Sequence, residues 1–203
     1  LLNFEIAKGE SVEKHTIDLR SRKDRVVMAN VAMGHDGVGT WLLDTEKRYE
    51  GNPDFYHNLM FYFYAMPFVL ADDGIQYTTT EALDFEGKSY PGLAISFDSG
   101  VGASSKDNYY VHFDPDTHKM QWLGYTVTYG SDEASDQIHW IRYDDWANLN
   151  GLVMPKSISW YTLKNGKPMA LDNRVVFENV ALSKSLDGLV FEKPEAAKYV
   201  AKK

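Results

Sequence analysis

The residues whose spacing best suits chemistry lie in the segment His-Phe-Asp-Pro-Asp-Thr-His, residues 112–118. His112, Asp114, Asp116 and His118 recur at every second position, and on one face of a straight strand they would offer nitrogen and oxygen ligands to a metal ion. However, Asp114 and the proline after it fit the first two positions of a type I turn. Because a turn breaks the straight ladder that such a site needs, we predict a turn, no metal site and no cofactor.

Two further patterns could belong to an enzyme. Asp144 and Asp145 lie beside Trp140, Tyr143 and Trp146, and paired carboxylates next to aromatic rings suit sugar hydrolysis. Adjacent residues of a strand point to opposite faces, however, so these two carboxylates could not flank one glycosidic bond. No serine lies in a nucleophile-elbow pattern, and no phosphate-binding glycine loop leads from a strand into a helix. We therefore predict no catalytic residue, and enzymatic activity is not favoured.

Two histidines need separate interpretations. His35 lies in Gly-His-Asp-Gly, a sequence that is typical of a turn. His57 lies among aromatic residues beside Asn58, where it could form a hydrogen bond or act as an acid or base. The commoner case for such a residue is a buried histidine whose polar atoms have partners within the fold.

The composition predicts one acidic globular domain. The 203 residues are 44% hydrophobic and 25% charged, which suits a single domain, residues 1–203, with a sizeable core. The net charge of -8 opposes binding to nucleic acid, so we exclude that class of partner. The chain has no cysteine, which excludes disulfide bonds, thiolate metal sites and cysteine nucleophiles.

The most unusual segment is FYHNLMFYFYAMPFVLADDG, residues 55–74, which is rich in aromatic side chains. It is too short and too polar for a membrane span, which needs roughly 20 apolar residues. Asn52 can cap a helix, Pro53 suits its first position, and Pro67 ends or kinks it near Ala65. Apolar side chains occupy nearly the whole circumference of this helix, so we expect it to be covered on most sides.

The rest of the chain has the short apolar runs and turn residues of an antiparallel β protein. The Asn165-Gly166 pair, for example, supplies the positive φ angles of a tight hairpin. The strands at 119–129 and 137–147 have apolar residues on both faces. We predict eleven strands, at residues 2–8, 11–20, 25–33, 38–44, 79–86, 92–98, 108–114, 119–129, 137–147, 156–164 and 168–181.

A large antiparallel sheet that curls into an open half-barrel could enclose one very apolar helix. We therefore predict a mainly β (α+β) fold in which a curved sheet wraps around the aromatic-rich helix. Rings and Met side chains would line an apolar concavity, and tyrosine hydroxyls would orient the polar head of a ligand. The candidate lining residues are Phe61, Tyr64, Met66 and Phe68 on the helical segment and Trp122, Tyr125, Trp140 and Trp160 on strands.

Four sequence motifs carry a resemblance to a known family. They are FYFYAMPFVLAD at residues 61–72, SYPGLAISF at 89–97, YYVHFDPDTHKMQWLGYTVTY at 109–129 and WIRYDDWANLNGLVMPKSISWY at 140–161. Over most of residues 40–180, the chain resembles an uncharacterised family of exported proteins and lipoproteins of Gram-negative bacteria, a domain of unknown function. The fold of that family is similar to the fold of the periplasmic carrier of outer-membrane lipoproteins.

The resemblance implies a curved antiparallel sheet around helices, with an apolar cavity that receives acyl chains in the carrier relatives. Carriers usually begin with a helix that helps to close the cavity, whereas this chain begins directly in a strand. The resemblance also implies export to the periplasm or the outer membrane. An upstream lipid anchor, outside this chain, could attach the protein to the membrane.

From these observations we expect a binding protein for a lipid, a lipoprotein tail or another apolar ligand. Two alternatives stay open at this stage. The interior could be filled by the protein's own side chains, which would make the protein a structural or interaction module. Alternatively, surface tryptophans near the loops 99–107 and 130–136 could serve a glycan-binding protein or a hydrolase.

Overall fold

The structure is a computed structural model that describes residues 1–64, 69–71, 73–98, 107–128, 135–184 and 188–201. Within these residues the chain forms sixteen strands, the α-helix α1 at Pro53–Tyr64 and a short 3-10 helix at Gly188–Phe191. The strands are β1 (Leu2–Lys8), β2 (Ser11–Ile17), β3 (Asp24–Val27), β4 (Ala32–His35), β5 (Thr40–Leu43), β6 (Ile75–Phe85), β7 (Lys88–Phe97), β8 (Tyr109–Phe113), β9 (Met120–Tyr125), β10 (His139–Asp144), β11 (Ala147–Leu149), β12 (Leu152–Met154), β13 (Ser157–Lys164), β14 (Lys167–Val176), β15 (Glu178–Leu182) and β16 (Lys198–Tyr199).

Most strands belong to two seven-stranded sheets. Sheet I has the order β15-β1-β2-β3-β4-β5-β16, and sheet II has the order β14-β13-β10-β9-β8-β7-β6. The strands β11 and β12 form a separate pair. Neighbouring strands run antiparallel, as short connections require. The predicted fold class, mainly β with antiparallel pairing and an aromatic-rich helix, is confirmed.

The chain divides into two compact units. The first contains Leu1–Met66, Asn148–Met154 and Val176–Lys203, and the second contains Pro67–Ala147 and Pro155–Val175. Sheet I and α1 belong to the first unit, and sheet II belongs to the second apart from the last residue of β14. The expectation of one domain over residues 1–203 stays a prediction.

Two of the predicted strands are each divided in the structure. Residues 25–33 form β3 and β4, because the chain turns between them and the N–H of Met28 donates to the carbonyl oxygen of Val31 at 2.8 Å. Residues 168–181 form most of β14 and β15, which are end strands of different sheets and are separated along the chain by Phe177 alone. The sequence showed the extended chain but not the change of partner strand.

The helix cap and the hairpin turn form where the sequence predicts them. Helix α1 begins at Pro53, and the side-chain oxygen of Asn52 accepts a hydrogen bond from the N–H of Asp54 at 3.0 Å. The Asn165-Gly166 pair has φ angles of 53° and 75°, the backbone of a tight hairpin. These features depend on neighbouring residues only, so the sequence was sufficient to predict them.

Sheet I buries one face, because side chains alternate along its strands. On β1 the buried residues are Leu2, Phe4 and Ile6, and the register places His15 of β2 opposite Phe4. Helix α1 packs against β4 and β5, and its Tyr64 ring lies 4.6 Å from the Phe4 ring. The helix therefore lies on the buried face of sheet I.

Sheet II is strongly curved. Its strands β13 and β6 are five positions apart, which in a flat sheet would separate them by about 24 Å. Nevertheless, the rings of Tyr161 on β13 and Phe85 on β6 lie 5.4 Å apart. The register of β6 and β7 shifts between Thr80 and Leu83, and such irregularities bend a strand. One face of sheet II is therefore concave.

Candidate ligand site and the polar network around the helix

Two of the predicted lining residues lie in the described part of α1. Phe61 and Tyr64 are buried, with exposed fractions of 5% and 0%. The guanidinium of Arg22 lies 5.3 Å from the centre of the Phe61 ring, within the range of a cation–π interaction. Met66 and Phe68 lie outside the described residues, so their role stays a prediction.

The four predicted strand residues divide between the two faces of sheet II. Trp122 and Trp140 belong to the ring cluster on the concave face. Tyr125 and Trp160 lie on the opposite face, where Trp160 Nε1 donates a hydrogen bond to the Tyr125 hydroxyl at 3.1 Å. A ligand that contacts one pair would therefore meet sheet II from a different side than a ligand at the other pair.

The clearest candidate for a ligand contact is Tyr64, in the last turn of α1. Its ring stacks on Phe177 with 3.7 Å between ring centres, and Phe4 contacts it edge-on. The hydroxyl is fully buried, and it has no hydrogen-bond partner among the described residues. Burial raises the pKa of Tyr64, so the hydroxyl keeps its proton and remains a donor. A buried polar group without a partner is unfavourable by about 1–3 kcal/mol.

The N-terminal half of α1 has a different, polar environment. His57 Nδ1 lies 2.9 Å from Asp24 Oδ1, at ion-pair distance, although the two atoms are not aligned for a hydrogen bond. The same oxygen of Asp24 accepts a hydrogen bond from the backbone N–H of His35 at 2.8 Å. At the start of the helix, Asp54 accepts a hydrogen bond from the Thr40 hydroxyl at 2.5 Å. Sheet I thus offers polar partners to a helix whose sequence is mostly apolar.

The rings of His35 and His57 stack on each other, with 4.6 Å between centres and 8° between planes. His57 is buried beside the acidic Asp24, as the commoner interpretation expects, but its Nδ1 has no aligned hydrogen bond among the described residues. The prediction of a turn residue at His35 is wrong, because its pairing with Asp24 makes it the last residue of β4. Burial and the charge of His57 lower the pKa of His35, and the surrounding carboxylates oppose this shift.

A second polar group on sheet I contacts α1 through Tyr56. Its hydroxyl donates a hydrogen bond to Glu13 Oε2 at 2.5 Å, and His15 Nε2 lies 3.5 Å from the same oxygen. The His15 ring stacks on Phe4 with 4.5 Å between centres. Burial acts to raise the pKa of Glu13, but the hydrogen bonds from His15 and Tyr56 outweigh it and hold that pKa below its ordinary value.

The concave face of sheet II is filled mainly by rings. Trp122 contacts Phe85 and Tyr161, with 4.8 and 4.9 Å between ring centres. The guanidinium of Arg142 lies 5.6 Å from the centre of the Trp122 ring, and Arg142 Nε lies 3.1 Å from Asp144. The indole N–H of Trp122 is buried and has no hydrogen-bond partner in the described part of the chain. This environment favours apolar packing over polar contacts.

Residues 114–118 form the predicted turn. Asp114 Oδ1 accepts a hydrogen bond from the N–H of Thr117 at 2.8 Å, and Asp114 Oδ2 lies 2.6 Å from Lys88 Nζ. The Lys88 contact and the turn hydrogen bonds hold the pKa of Asp114 well below its ordinary value. His112 is buried on β8, away from the turn. Within the residues that the structure describes, no three His, Cys, Asp or Glu side chains are grouped as metal ligands.

The carboxylates Asp144 and Asp145 have separate partners. Asp144 lies beside Arg142, whereas Asp145 accepts a hydrogen bond from Arg174 at 2.8 Å. Burial raises the pKa of Asp144, although Arg142 and Arg174 act against it. Each carboxylate is therefore part of its own ion pair, and the two do not converge on one position.

A cavity of about 190 Å³ lies beside β6, β7 and β8. Small and polar side chains, including Thr78, Ser96 and Asn108, line it together with Tyr109 and Tyr110. It is smaller than a typical ligand pocket, which has about 300–1,000 Å³, and it contains none of the predicted lining residues. We assign no ligand to it.

Sequence comparison identifies one matching family. The model of a family of unknown function, DUF6503, matches residues 32–178. No sequence among the curated proteins matches the chain. The match covers strands of both sheets and the whole of α1, so it includes most of the elements described above.

Three solved structures are similar in fold. A LolA superfamily protein from Nitrosomonas europaea has 12% identity and a TM-score of 0.53, over 95% of this chain and 88% of that chain. A DUF1329 family protein from Desulfovibrio piger has 13% identity and a TM-score of 0.53, over 94% and 87%. A domain described as an outer membrane lipoprotein-sorting protein from Vibrio parahaemolyticus has 8% identity and a TM-score of 0.51, over 94% and 86%. These similarities confirm the predicted lipoprotein-carrier-like fold, and at such identities they concern the fold alone.

Proposed function

The chain belongs to the DUF6503 family of unknown function, and from that premise we propose that it binds an apolar ligand, namely the acyl chain of a lipid or of a lipoprotein. The carrier-like fold supports the proposal, because similar structures include a LolA superfamily protein and a lipoprotein-sorting domain. We place the ligand at the C-terminal end of α1, where Phe61 and Tyr64 lie. The predicted lining residues Met66 and Phe68 follow directly in the sequence.

The hydroxyl of Tyr64 carries the proposal. It is fully buried among the rings of Phe4 and Phe177, and no described residue accepts its hydrogen bond. Buried hydroxyls in proteins nearly always have a partner. An ester or amide carbonyl at the head of an acyl chain would accept this hydrogen bond, while the neighbouring rings would contact the methylenes. Tyr64 would then orient the ligand, and the rings would supply most of the affinity.

The length of the ligand's acyl chain should determine the affinity. Each buried methylene stabilises a complex by about 0.8 kcal/mol, which corresponds to about a fourfold change in Kd. A series of fatty acids that differ by two methylenes should therefore show a steady rise in affinity until the site is full. Fluorescence competition with a fatty acid that carries a fluorophore would measure it.

The variant Tyr64→Phe tests the proposed role of the hydroxyl. Because the hydroxyl has no protein partner among the described residues, its removal should leave the stability of the protein unchanged or slightly raised. The affinity for a fatty acid ester should fall by about tenfold, the effect of one lost hydrogen bond. Tyr199→Phe, on the exposed strand β16 with its hydroxyl on Asp36, is the matched control and should leave affinity unchanged at neutral pH. An equal affinity of Tyr64→Phe and the parent protein would contradict the proposed contact.

The alternative of a self-filled structural module also has support. The concave face of sheet II is filled by its own rings, among them Trp122 and Trp140, so this face leaves a ligand little room. Native mass spectrometry after mild lipid extraction separates the two functions. Retained acyl ligands favour the binding protein, whereas a protein without ligand, even when saturated with lipids, favours the module.

Glycan binding through surface tryptophans has less support. None of the five tryptophans is exposed, and the most accessible ones, Trp146 and Trp160, are half-buried. The predicted loops 99–107 and 130–136 lie largely outside the described residues. A glycan array with the parent protein and Trp146→Ala would test this function directly.

We further propose that the protein acts in the periplasm or at the outer membrane. Support comes from the fold, which it has in common with an outer membrane lipoprotein-sorting domain. No helix in the described part of the chain has the length and apolar character to span a bilayer. Fractionation of cells that express the full-length protein would test the location.

A further inference from the structure

Helix α1 is attached to sheet I through a pair of stacked histidines that carboxylates surround. The pair consists of His57 on α1 and His35 on β4, with 4.6 Å between ring centres. The charged groups that face it are Asp24 from β3, Asp36 from the turn after β4 and Asp54 from α1 itself. His57 and Asp24 are buried, so water screens little of their interaction.

Each of these carboxylates already has hydrogen-bond donors. Asp24 accepts a backbone N–H, Asp54 accepts a hydroxyl, and Asp36 accepts the Tyr199 hydroxyl at 2.6 Å. The negative charge of Asp24, whose Oδ1 lies 2.9 Å from His57 Nδ1, can neutralise one proton on the histidine pair. A second proton would place two cations face to face in a largely buried position.

We propose that this histidine pair makes the docking of α1 on sheet I sensitive to acid and thereby regulates the proposed ligand site. At neutral pH the pair holds no more than one proton, and α1 stays docked. In acid the second proton enters, the two imidazolium rings repel each other, and docking weakens. Phe61 and Tyr64 lie on the same helix, so their contacts would weaken as well. This last step rests on the proposed function.

The direction of the effect follows from His35. Its pKa is lowered from an ordinary value of 6.5, first by burial and then by the charge of His57. His35 takes up a proton more readily in the undocked state than in the docked state. Docking of α1 therefore becomes less favourable as the pH falls below about 6.5. Glu13 acts in a lower range, because its pKa lies below 4.5. The pKa of His112 is also lowered by burial, but His112 belongs to the second unit.

Hydrogen exchange with mass spectrometry, on the full chain at about pH 7.5 and about pH 5.5, tests the proposal once intrinsic rates are corrected. In the parent protein, protection of residues 53–64 should fall by up to about tenfold between pH 7.5 and pH 5.5, because at pH 5.5 about ten of every eleven undocked His35 rings carry the proton that the docked state disfavours. In His35→Gln the fall should disappear, because the pair can no longer carry two protons. His118→Gln, the same change at an exposed turn, should behave like the parent. If His35→Gln does not fold, His35→Phe keeps a flat ring without a titratable nitrogen.

Two results would overturn the proposal: unchanged protection of residues 53–64 between the two pH values, or an equal fall in His35→Gln and the parent. Retention of a fluorescent fatty acid, measured on the same samples, tests the link to the ligand. Release in acid by the parent but not by His35→Gln supports the link, and equal retention while protection falls overturns it. If no fatty acid binds at either pH, the proposed function fails, while the exchange result still decides the docking effect.

Discussion

The buried face of sheet I and the concave face of sheet II are filled by different kinds of side chain. Beneath α1, polar contacts such as the ion pair of His57 with Asp24 and the hydrogen bond from Tyr56 to Glu13 hold the helix. On sheet II, stacked and edge-on rings around Trp122 fill the concavity, and the indole N–H there has no partner among the described residues. Both faces are buried, but titratable groups contact α1 on sheet I, whereas rings make most of the contacts on the concave face of sheet II.

The two faces therefore make different contributions to the fold. A hydrogen bond or ion pair has one good geometry, so the polar face fixes the position of α1 along sheet I. Its groups also make that position depend on pH. Ring packing is less directional and does not itself titrate, so the contribution of rings such as Trp122 should be constant over pH.

The largest effect should come from Trp122→Ala. Trp122 is fully buried in the ring cluster, and such truncations destabilise a protein by about 3–5 kcal/mol through lost burial and the resulting cavity. Urea unfolding followed by circular dichroism would measure the loss. Met169→Ala, on a side chain of sheet II that is 54% exposed, is the control and should stay within about 0.5 kcal/mol. Similar results for both variants would show that the concave face is not a packed core.

A smaller loss in the free energy of unfolding is expected for Asp24→Asn. The amide can still accept the N–H of His35, so the variant removes mainly the charge that faces His57. A hydrogen bond or ion pair of this kind contributes about 2 kcal/mol. The same unfolding experiment applies, with Asp116→Asn as control, because the Asp116 side chain is 79% exposed and its ion pair should contribute little. Equal losses would mean that the buried charge has no special role.

The sequence was sufficient where neighbouring residues determine the structure. The cap at Asn52, the turn at Asp114 and the hairpin at Asn165-Gly166 each depend on two to four adjacent residues. The odd spacing of Trp122 and Tyr125 also places them on opposite faces of β9, a signal that separates the predicted lining residues without any structure.

Other features depend on which strands become neighbours. Asp24 lies in Ser-Arg-Lys-Asp, a sequence that is typical of a solvated turn, and nothing local to it indicates His57 as its partner. That contact arises because β3 pairs with β4 and α1 packs against β4 and β5, so it joins residues that are distant in sequence. Likewise, the partner change at Phe177 is set by strand pairing and not by the local pattern, which is extended on both sides.

The smallest expected effect is a pH-dependent loss of stability, which distinguishes the polar face of sheet I from the ring-filled face of sheet II. The pKa of Glu13 is held below its ordinary value of 4.5, so its contacts stabilise the fold above that pH, and this contribution is lost as the pH falls through the lowered value. Glu13→Gln should therefore be less stable than the parent at about pH 7, and the difference should shrink toward about pH 3. Urea unfolding midpoints at both pH values measure it. Trp122→Ala should show the same loss at both, because no titrating group is removed; a pH-independent loss in Glu13→Gln would instead mean that packing, and not charge, makes this residue important.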